Sequence, residues 1–240
     1  MKLKICDKEY LIDDNRIKRD SLLSILNYIK TKIDNTLSFR SGCRSGVCGS
    51  CSVRVNGIER LACKTHLQDG DVIEPLKNAE LIKDLVVDIS SQEKCLKNSK
   101  AQLEKHSGEG ITIEDEKNID LQSNCILCNS CYSSCPVYEV NKEFLGPFAL
   151  TRVYRYVNDK KEAEIKTKID TVQSNGVWDC TLCGNCNMVC PQHIDIKNDI
   201  MMLRNRSAQQ GYSDPNFTSG FDSSNDFLSD QNFGFDPNQF

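Results

Sequence analysis

Apolar and polar residues alternate over residues 2 to 13, as KLKIC and EYLID about Asp7-Lys8, which predicts a β-hairpin with Cys6 in a strand as a small buried side chain. Ser21 then heads SLLSILNYIKTKI, where Leu22, Leu23, Ile25, Leu26, Ile29 and Ile33 recur at helical spacing. A capped helix with one core-facing stripe is expected there. After the glycine-bearing loop SFRSGCRSGVCGSC, the segments SVRV and IERLAC flank Asn56-Gly57, a strong signal for a second hairpin. Strand, helix, loop and hairpin together predict a small β-grasp domain over residues 1–95. From Ser90 to Asn118 the chain is charged and lacks an apolar period, so the domain junction is placed in that stretch. Helical patterns follow in EFLGPFALTRVYRYVND, KKEAEIKTKIDTVQ and IKNDIMMLRNRSAQ, predicting an all-α domain over residues 96–210 and an α+β fold class for the whole.

Residues 211–240 break both patterns. They contain no Lys or Arg, five Asp and six of the nine Phe, so this tail carries −5 and the rest of the chain +1, for a net charge of −4. Such polar sequence is expected to stay disordered, although its singly spaced phenylalanines would suit docking into grooves on a partner. The net charge and the scattered Lys and Arg argue against nucleic-acid binding. No apolar run is long enough to span a membrane, and the first residues lack the features of a secretory signal, so no targeting signal is expected.

Fourteen cysteines change the picture. Disulfide-dense scaffolds are usually shorter, and the spacing here is that of metal ligands. Cys43, Cys48, Cys51 and Cys63 follow C-x4-C-x2-C with a fourth cysteine farther on, the plant-type [2Fe-2S] pattern. Gly42, Gly46 and Gly49 would let the loop turn its amides toward the sulfurs, and Arg40 and Arg44 are candidates to offset cluster charge. A Rieske centre needs two His ligands, and only His66 follows the last cysteine.

Cys125, Cys128, Cys131 and Cys135 before Pro136 form the bacterial ferredoxin run C-x2-C-x2-C-x3-C-P. Cys180, Cys183, Cys186 and Cys190 before Pro191 repeat it, displaced by 55 residues. In two-cluster ferredoxins the fourth cysteine of each run serves the other run's cluster. One [4Fe-4S] cluster is therefore expected on Cys125, Cys128, Cys131 and Cys190, and the other on Cys135, Cys180, Cys183 and Cys186. Zinc sites typically pair two C-x2-C units, whereas three cysteines at successive x2 intervals suit a cubane better. No nucleotide-binding or nucleophile motif accompanies these sites, and His66, His106 and His193 form no metal pair. An electron relay with no substrate site of its own is expected.

A plant-type ferredoxin domain followed by a bacterial-ferredoxin-like two-cluster domain resembles the iron-sulfur subunits of succinate dehydrogenases and fumarate reductases, over residues 1 to 210. Beyond the cysteines, the resemblance rests on SFRSGCRSGVCGSC, NGIERLAC, IKDLVVD, SSCPVYEVN, FLGPFALTRVYRYVND and GVWDCTLCGNCNMVCP. It implies a FAD-containing flavoprotein partner beside the [2Fe-2S] centre, where fumarate and succinate interconvert, and a membrane anchor beside the distal cluster. Most of that family lacks a cysteine at the position of Cys183 and holds a [3Fe-4S] cluster there; this chain has the thiol. Quinone-binding members carry Trp at the position of Val140 and His at that of Thr181, and this chain has neither. Both departures resemble the branch of ε-proteobacterial methylmenaquinol:fumarate reductases, whose anchor is a cysteine-rich subunit like heterodisulfide reductase. The implied location is peripheral on the inner membrane, on the periplasmic side for that branch and otherwise on the cytoplasmic side. Two alternatives remain open: an iron-sulfur subunit of a heterodisulfide-reductase-like or glycolate-oxidase-like complex, and a free soluble ferredoxin.

Overall fold

The computed structural model describes residues 2–13 and 19–215. The tail from residue 216 onward, expected to be disordered or partner-docked, lies outside the described residues.

β1 (Lys2–Ile5) and β2 (Lys8–Leu11) form the first hairpin, with Ile5 paired to Lys8. The turn is Cys6-Asp7, one residue earlier than the alternation suggested, and Cys6 takes a left-handed φ of 52°. A two-residue loop with positive φ matches the twist of the strands it joins. Cys6 therefore sits half-buried in the turn and not within a strand.

α1 (Leu22–Lys32) is capped by Ser21, whose hydroxyl accepts from Ser24 N–H, and it buries Leu22, Leu23, Ile25, Leu26 and Ile29. Ile33, expected in that stripe, lies beyond the helix and is 50% exposed. β3 (Ser52–Val55) and β4 (Ile58–Leu61) close around Asn56 and Gly57 at φ 51° and 81°, the left-handed pair a type I′ turn needs. β5 (Val72–Glu74) lies between β1, which it pairs in parallel, and β3, giving the order β2-β1-β5-β3-β4. α1 shares one core with Leu3, Ile5, Val53, Val55 and Ile73 of this sheet, as the β-grasp expectation requires. β6 (Glu80–Lys83) and β7 (Val86–Asp88) form a separate ribbon.

The stretch expected to be irregular contains two helices. α2 (Ser90–Asn98) buries Gln92 and Cys95, and α3 (Ile113–Ser123) buries only Gln122. α3 owes its start to a capping box between Thr112 and Asp115, with three acidic residues in its first turn, and not to an apolar stripe. Cys95 and Ala101 already belong to the second core. The connecting segment is held by Lys168, whose side chain is fully buried. Its ammonium donates to the carbonyls of Lys100 and Gln102 at 2.7 and 2.6 Å, and to Glu104 at 3.1 Å.

The second core centres on α6 (Pro147–Val157), flanked by α7 (Ile165–Thr171) and crossed by α9 (Ile196–Gln209). Three short helices, α4 (Ser130–Ser133), α5 (Pro136–Val140) and α8 (Asn185–Met188), carry or border the cysteines. Tyr132 of α4 is fully buried, edge-on to Tyr138 at 4.7 Å and against Phe148 at 4.5 Å, and donates its hydroxyl to Leu145 O. A Cβ on Gly146 would sit within the Tyr132 ring, so that position admits only glycine. No helix among the described residues is long and apolar enough to cross a membrane.

Candidate iron-sulfur centres

The loop between α1 and β3 brings Cys43 and Cys48 to the surface, while Cys51 is buried at the edge of β3 and Cys63 is half-buried after β4. The amides of Ser45, Val47 and Cys48 donate to Cys43 Sγ at 3.3 to 3.4 Å, and Cys43 N–H donates to Cys48 Sγ at 3.3 Å. Left-handed turns at Arg44, Gly46 and Gly49 aim them inward. A Cβ on Gly42 would lie 2.8 Å from Cys48 Sγ. The Ser45 hydroxyl and the surrounding amides bring the Cys43 thiol down to about 5, whereas burial pushes Cys51 up to about 11. Arg40 donates to Val87 O at 2.9 Å and so ties the loop to β7. His66 is exposed.

The two ferredoxin runs interleave. Cys125, Cys128, Cys131 and Cys190 line one cavity with Phe148, Thr151 and Ile196; Cys135, Cys180, Cys183 and Cys186 line another with Phe144, Thr181 and Ile200. Four thiols converge on each cavity, the donor set that an iron-sulfur cluster takes.

The 55-residue repeat extends to the backbone. Leu127 and Leu182 have φ of 53° and 54°, and Asn129 and Gly184 have 65° and 83°. Leu182 donates its main-chain N–H to Cys180 Sγ at 3.4 Å, and just past the second run Ile194, after left-handed His193, donates to Cys190 Sγ at 3.4 Å. Burial raises the thiols, to about 11 at Cys125, about 12 at Cys186 and well above the usual range at Cys131.

The three cysteine sets succeed one another. A Cβ on Gly49 of the first loop would lie 2.8 Å from both Cys128 Cβ and Ile126 O, and Ile126 and Cys128 pack on the core of the sheet domain. Gln192 Nε2 donates to Gly46 O at 3.4 Å. Asn78 Nδ2 reaches the carbonyls of Tyr132, Ser133 and Cys135, and Ser133 Oγ accepts from Lys77 N–H and donates to buried Glu59. Cys131 then lies in α4 with Cys135 one turn on, and Cys186 in α8 with Cys190 one turn on, so each pair spans both cavities. Cys183, the added thiol of the second run, is exposed, and so is Val140 at the end of α5, 85% exposed.

Several supporting residues carry no sequence signal. The hydroxyls of Ser130 and Ser52 act on Cys128, Thr151 walls the first cavity, Lys197 the second, and Asn78 clamps α4. Polar residues of these types are common on loops and helices, and only packing gathers them.

Residues 4–94 match the 2Fe-2S iron-sulfur cluster binding domain family, and residues 122–194 the 4Fe-4S dicluster domain family. The fumarate reductase iron-sulfur subunit of Escherichia coli O157:H7 is 39% identical over 188 residues, which is 73% of this chain and 76% of that one. The subunit of the same name from Haemophilus influenzae is 37% identical over 210 residues, 79% and 82% of the two chains. The 8-methylmenaquinol:fumarate reductase iron-sulfur subunit of Wolinella succinogenes is 34% identical over 218 residues, covering 84% of this chain and 68% of that one. A chain of the Mycobacterium smegmatis Sdh1 complex in the apo form shares the fold, with a TM-score of 0.76 at 23% identity over 88% of this chain and 97% of that one. With two cluster-binding domains in this order and relatives of this closeness, the chain belongs to the fumarate reductase iron-sulfur subunit family, and its own domains fit one [2Fe-2S] and two [4Fe-4S] clusters.

Proposed function

We propose that this chain carries electrons between a FAD flavoprotein and a quinol-side membrane anchor in a fumarate reductase complex, from a methylmenaquinol-type donor to fumarate. The observation that carries this reading is the succession of three four-cysteine sets in which Cys43 and Cys48 of the first and Cys183 of the third are exposed, while the middle set has Cys131 buried and Cys125, Cys128 and Cys190 half-buried. Electrons must enter and leave where partners can approach.

Cys43, Cys48, Cys51 and Cys63 would hold the [2Fe-2S] cluster; Cys125, Cys128, Cys131 and Cys190 the middle [4Fe-4S] cluster; and Cys135, Cys180, Cys183 and Cys186 the distal one. Bound, these clusters supply one-electron carriers that join a two-electron flavin to a two-electron quinol. The chain's own residues do the rest. Amides from Ser45, Val47 and Cys48 stabilise negative charge on sulfur, Phe148, Ile196, Phe144 and Ile200 exclude water, and the Gly49 contact holds the first and middle sets together. The flavoprotein is assigned to the Cys43 rim. The anchor, a cysteine-rich subunit like heterodisulfide reductase, is assigned to the Cys183 rim. The complex would place this chain peripherally on the inner membrane, at its periplasmic face.

The chain is expected to co-purify with a FAD-containing subunit, and EPR of the oxidised complex to lack a [3Fe-4S] signal near a g value of about 2. Cys183→Ala should produce that signal while leaving the other two clusters. The signal in the unaltered complex, or purification of the chain without any flavoprotein, would sink the assignment.

A further inference from the structure

Asp199 is a carboxyl group that ligates nothing, and it stands beside the middle site. It lies on α9 three residues after Ile196, hence on the same helix face, and is 1% exposed. Ile196 and Thr151 both line the cavity of Cys125, Cys128, Cys131 and Cys190. Gln122 Nε2 donates to Asp199 Oδ1 at 2.8 Å, and the main-chain carbonyl of the same Gln122 accepts from Cys125 N–H at 3.3 Å. The carboxyl is thus linked through one residue to the backbone of a cluster cysteine.

Its other oxygen is unsatisfied. Oδ2 has no hydrogen-bond partner and neither does Thr151 Oγ1, although Thr151 is close enough to act on the carboxyl. A buried carboxylate with one bare oxygen is costly; protonated, Oδ2 could donate to Thr151 Oγ1 and satisfy both groups. Burial pushes Asp199 up to about 6, against the opposing influence of Gln122 and Thr151.

The charged groups on surrounding elements do not neutralise it. On its own helix Asp195 adds repulsion, Lys197 lines the distal cavity, and Arg204 donates to the carbonyls of Val177, Trp178 and Cys180. On α6, Arg155 pairs with Asp159 and Arg152 acts on Cys125. Lys168 of α7 is held by Glu104 and Glu162, while Lys166 and Asp170 of α7, Arg206 of α9, and Glu116, Lys117 and Asp120 of α3 are exposed. Among the described residues no salt bridge reaches Asp199.

We infer that Asp199 is the proton partner of the middle cluster: as one electron arrives there from a neighbouring site of the relay, Asp199 takes one proton from water onto Oδ2, and it returns that proton when the electron leaves. This rests on the assignment of Cys125, Cys128, Cys131 and Cys190 to that cluster. The added negative charge makes the carboxyl hold its proton more tightly in the reduced state. The potential of the middle cluster should therefore fall as pH rises between the carboxyl's oxidised-state and reduced-state values, and be level outside them.

The test is an EPR-monitored redox titration of the intact complex between about pH 5 and pH 8.5, bracketing the buried carboxyl. A pH-dependent potential is expected for the middle cluster, lost in Asp199→Asn and kept in Asp199→Glu. Gln122→Leu, which removes a donor to the carboxylate, should move the sloping range to higher pH. Should Asp199→Asn fail to assemble, the infrared difference spectrum of the unaltered complex decides: a protonated-carboxyl band that appears on reduction and shifts in heavy water supports the inference, and its absence overturns it. A level potential in a complex with full iron content overturns this inference alone, as does a slope that survives Asp199→Asn. A complex without the middle cluster's signal overturns the ligand assignment together with it.

Discussion

The loop that carries Cys43 and the helices that carry Cys131 present the same donor group in opposite surroundings. In the loop, Cys43 and Cys48 are exposed, main-chain amides converge on one sulfur, and Cys43 is brought down to about 5. In the helices, Cys131, Cys135 and Cys186 are counted among the core side chains beside Tyr132 and Phe148, and burial raises them. In the sheet domain only Cys51 joins the core, with Cys63 packed against it, whereas in the helical domain Cys131, Cys135 and Cys186 are core members and Cys125, Cys180 and Cys190 pack against them. The same ligand chemistry is mostly peripheral to one fold and integral to the other.

The largest effect should separate the two regions directly. Cys131→Ala is expected to lower iron from about ten towards about two atoms per chain and to unravel the helical domain, since it removes a core thiol that lines the middle cavity. Cys43→Ala should lower iron only to about eight, with the helical content unchanged. Iron analysis with circular dichroism checks the pair, and equal losses would break the contrast.

Gly49→Ala tests the place where the regions meet. Its φ of 69° and the 2.8 Å approach to Cys128 Cβ predict a destabilisation of about 2–4 kcal/mol. Gly70→Ala, at φ 84° with nothing within 4 Å of the added carbon, should show the backbone part alone, about 1 kcal/mol. Thermal unfolding of both variants measures the difference, and equal shifts would mean that the contact is not tight.

The smallest effect is kinetic. A soluble chelator should strip iron from the exposed Cys43 set about tenfold faster than from the middle set, whose thiols lie behind Phe148 and Ile196. Loss of the middle cluster's EPR signal first would reverse the comparison.

Much of this contrast was legible in the residues. Asn56-Gly57 gave its turn, Ser21 its cap, and the displaced runs gave two equivalent sites whose likeness reaches Leu127 and Leu182. The helices α2 and α3 were hidden because they bury almost nothing: the signal at α3 was Thr112 and Asp115, a cap without a stripe. The first hairpin turned one residue early because alternation marks strands and not the residues that fold back between them. Lys168 sits in KKEAEIKTKIDTVQ like any surface lysine, and only the arrival of the Lys100–Glu104 segment buries it. Asp199 and Asn78 were illegible for the same reason, because their partners lie 77 and more than 50 residues away.

The interleaving of the two runs also sets a timetable for synthesis. The loop set is complete once residue 63 has emerged, but neither cavity has all four of its thiols until the second run has followed the first by 55 residues. At ribosomal speeds of about 5–20 residues per second, that leaves the first run unmatched for about 3–11 seconds. The nascent helical half must stay open through that interval, so its clusters can be completed only after Cys190 has emerged, while the loop could be loaded as it appears.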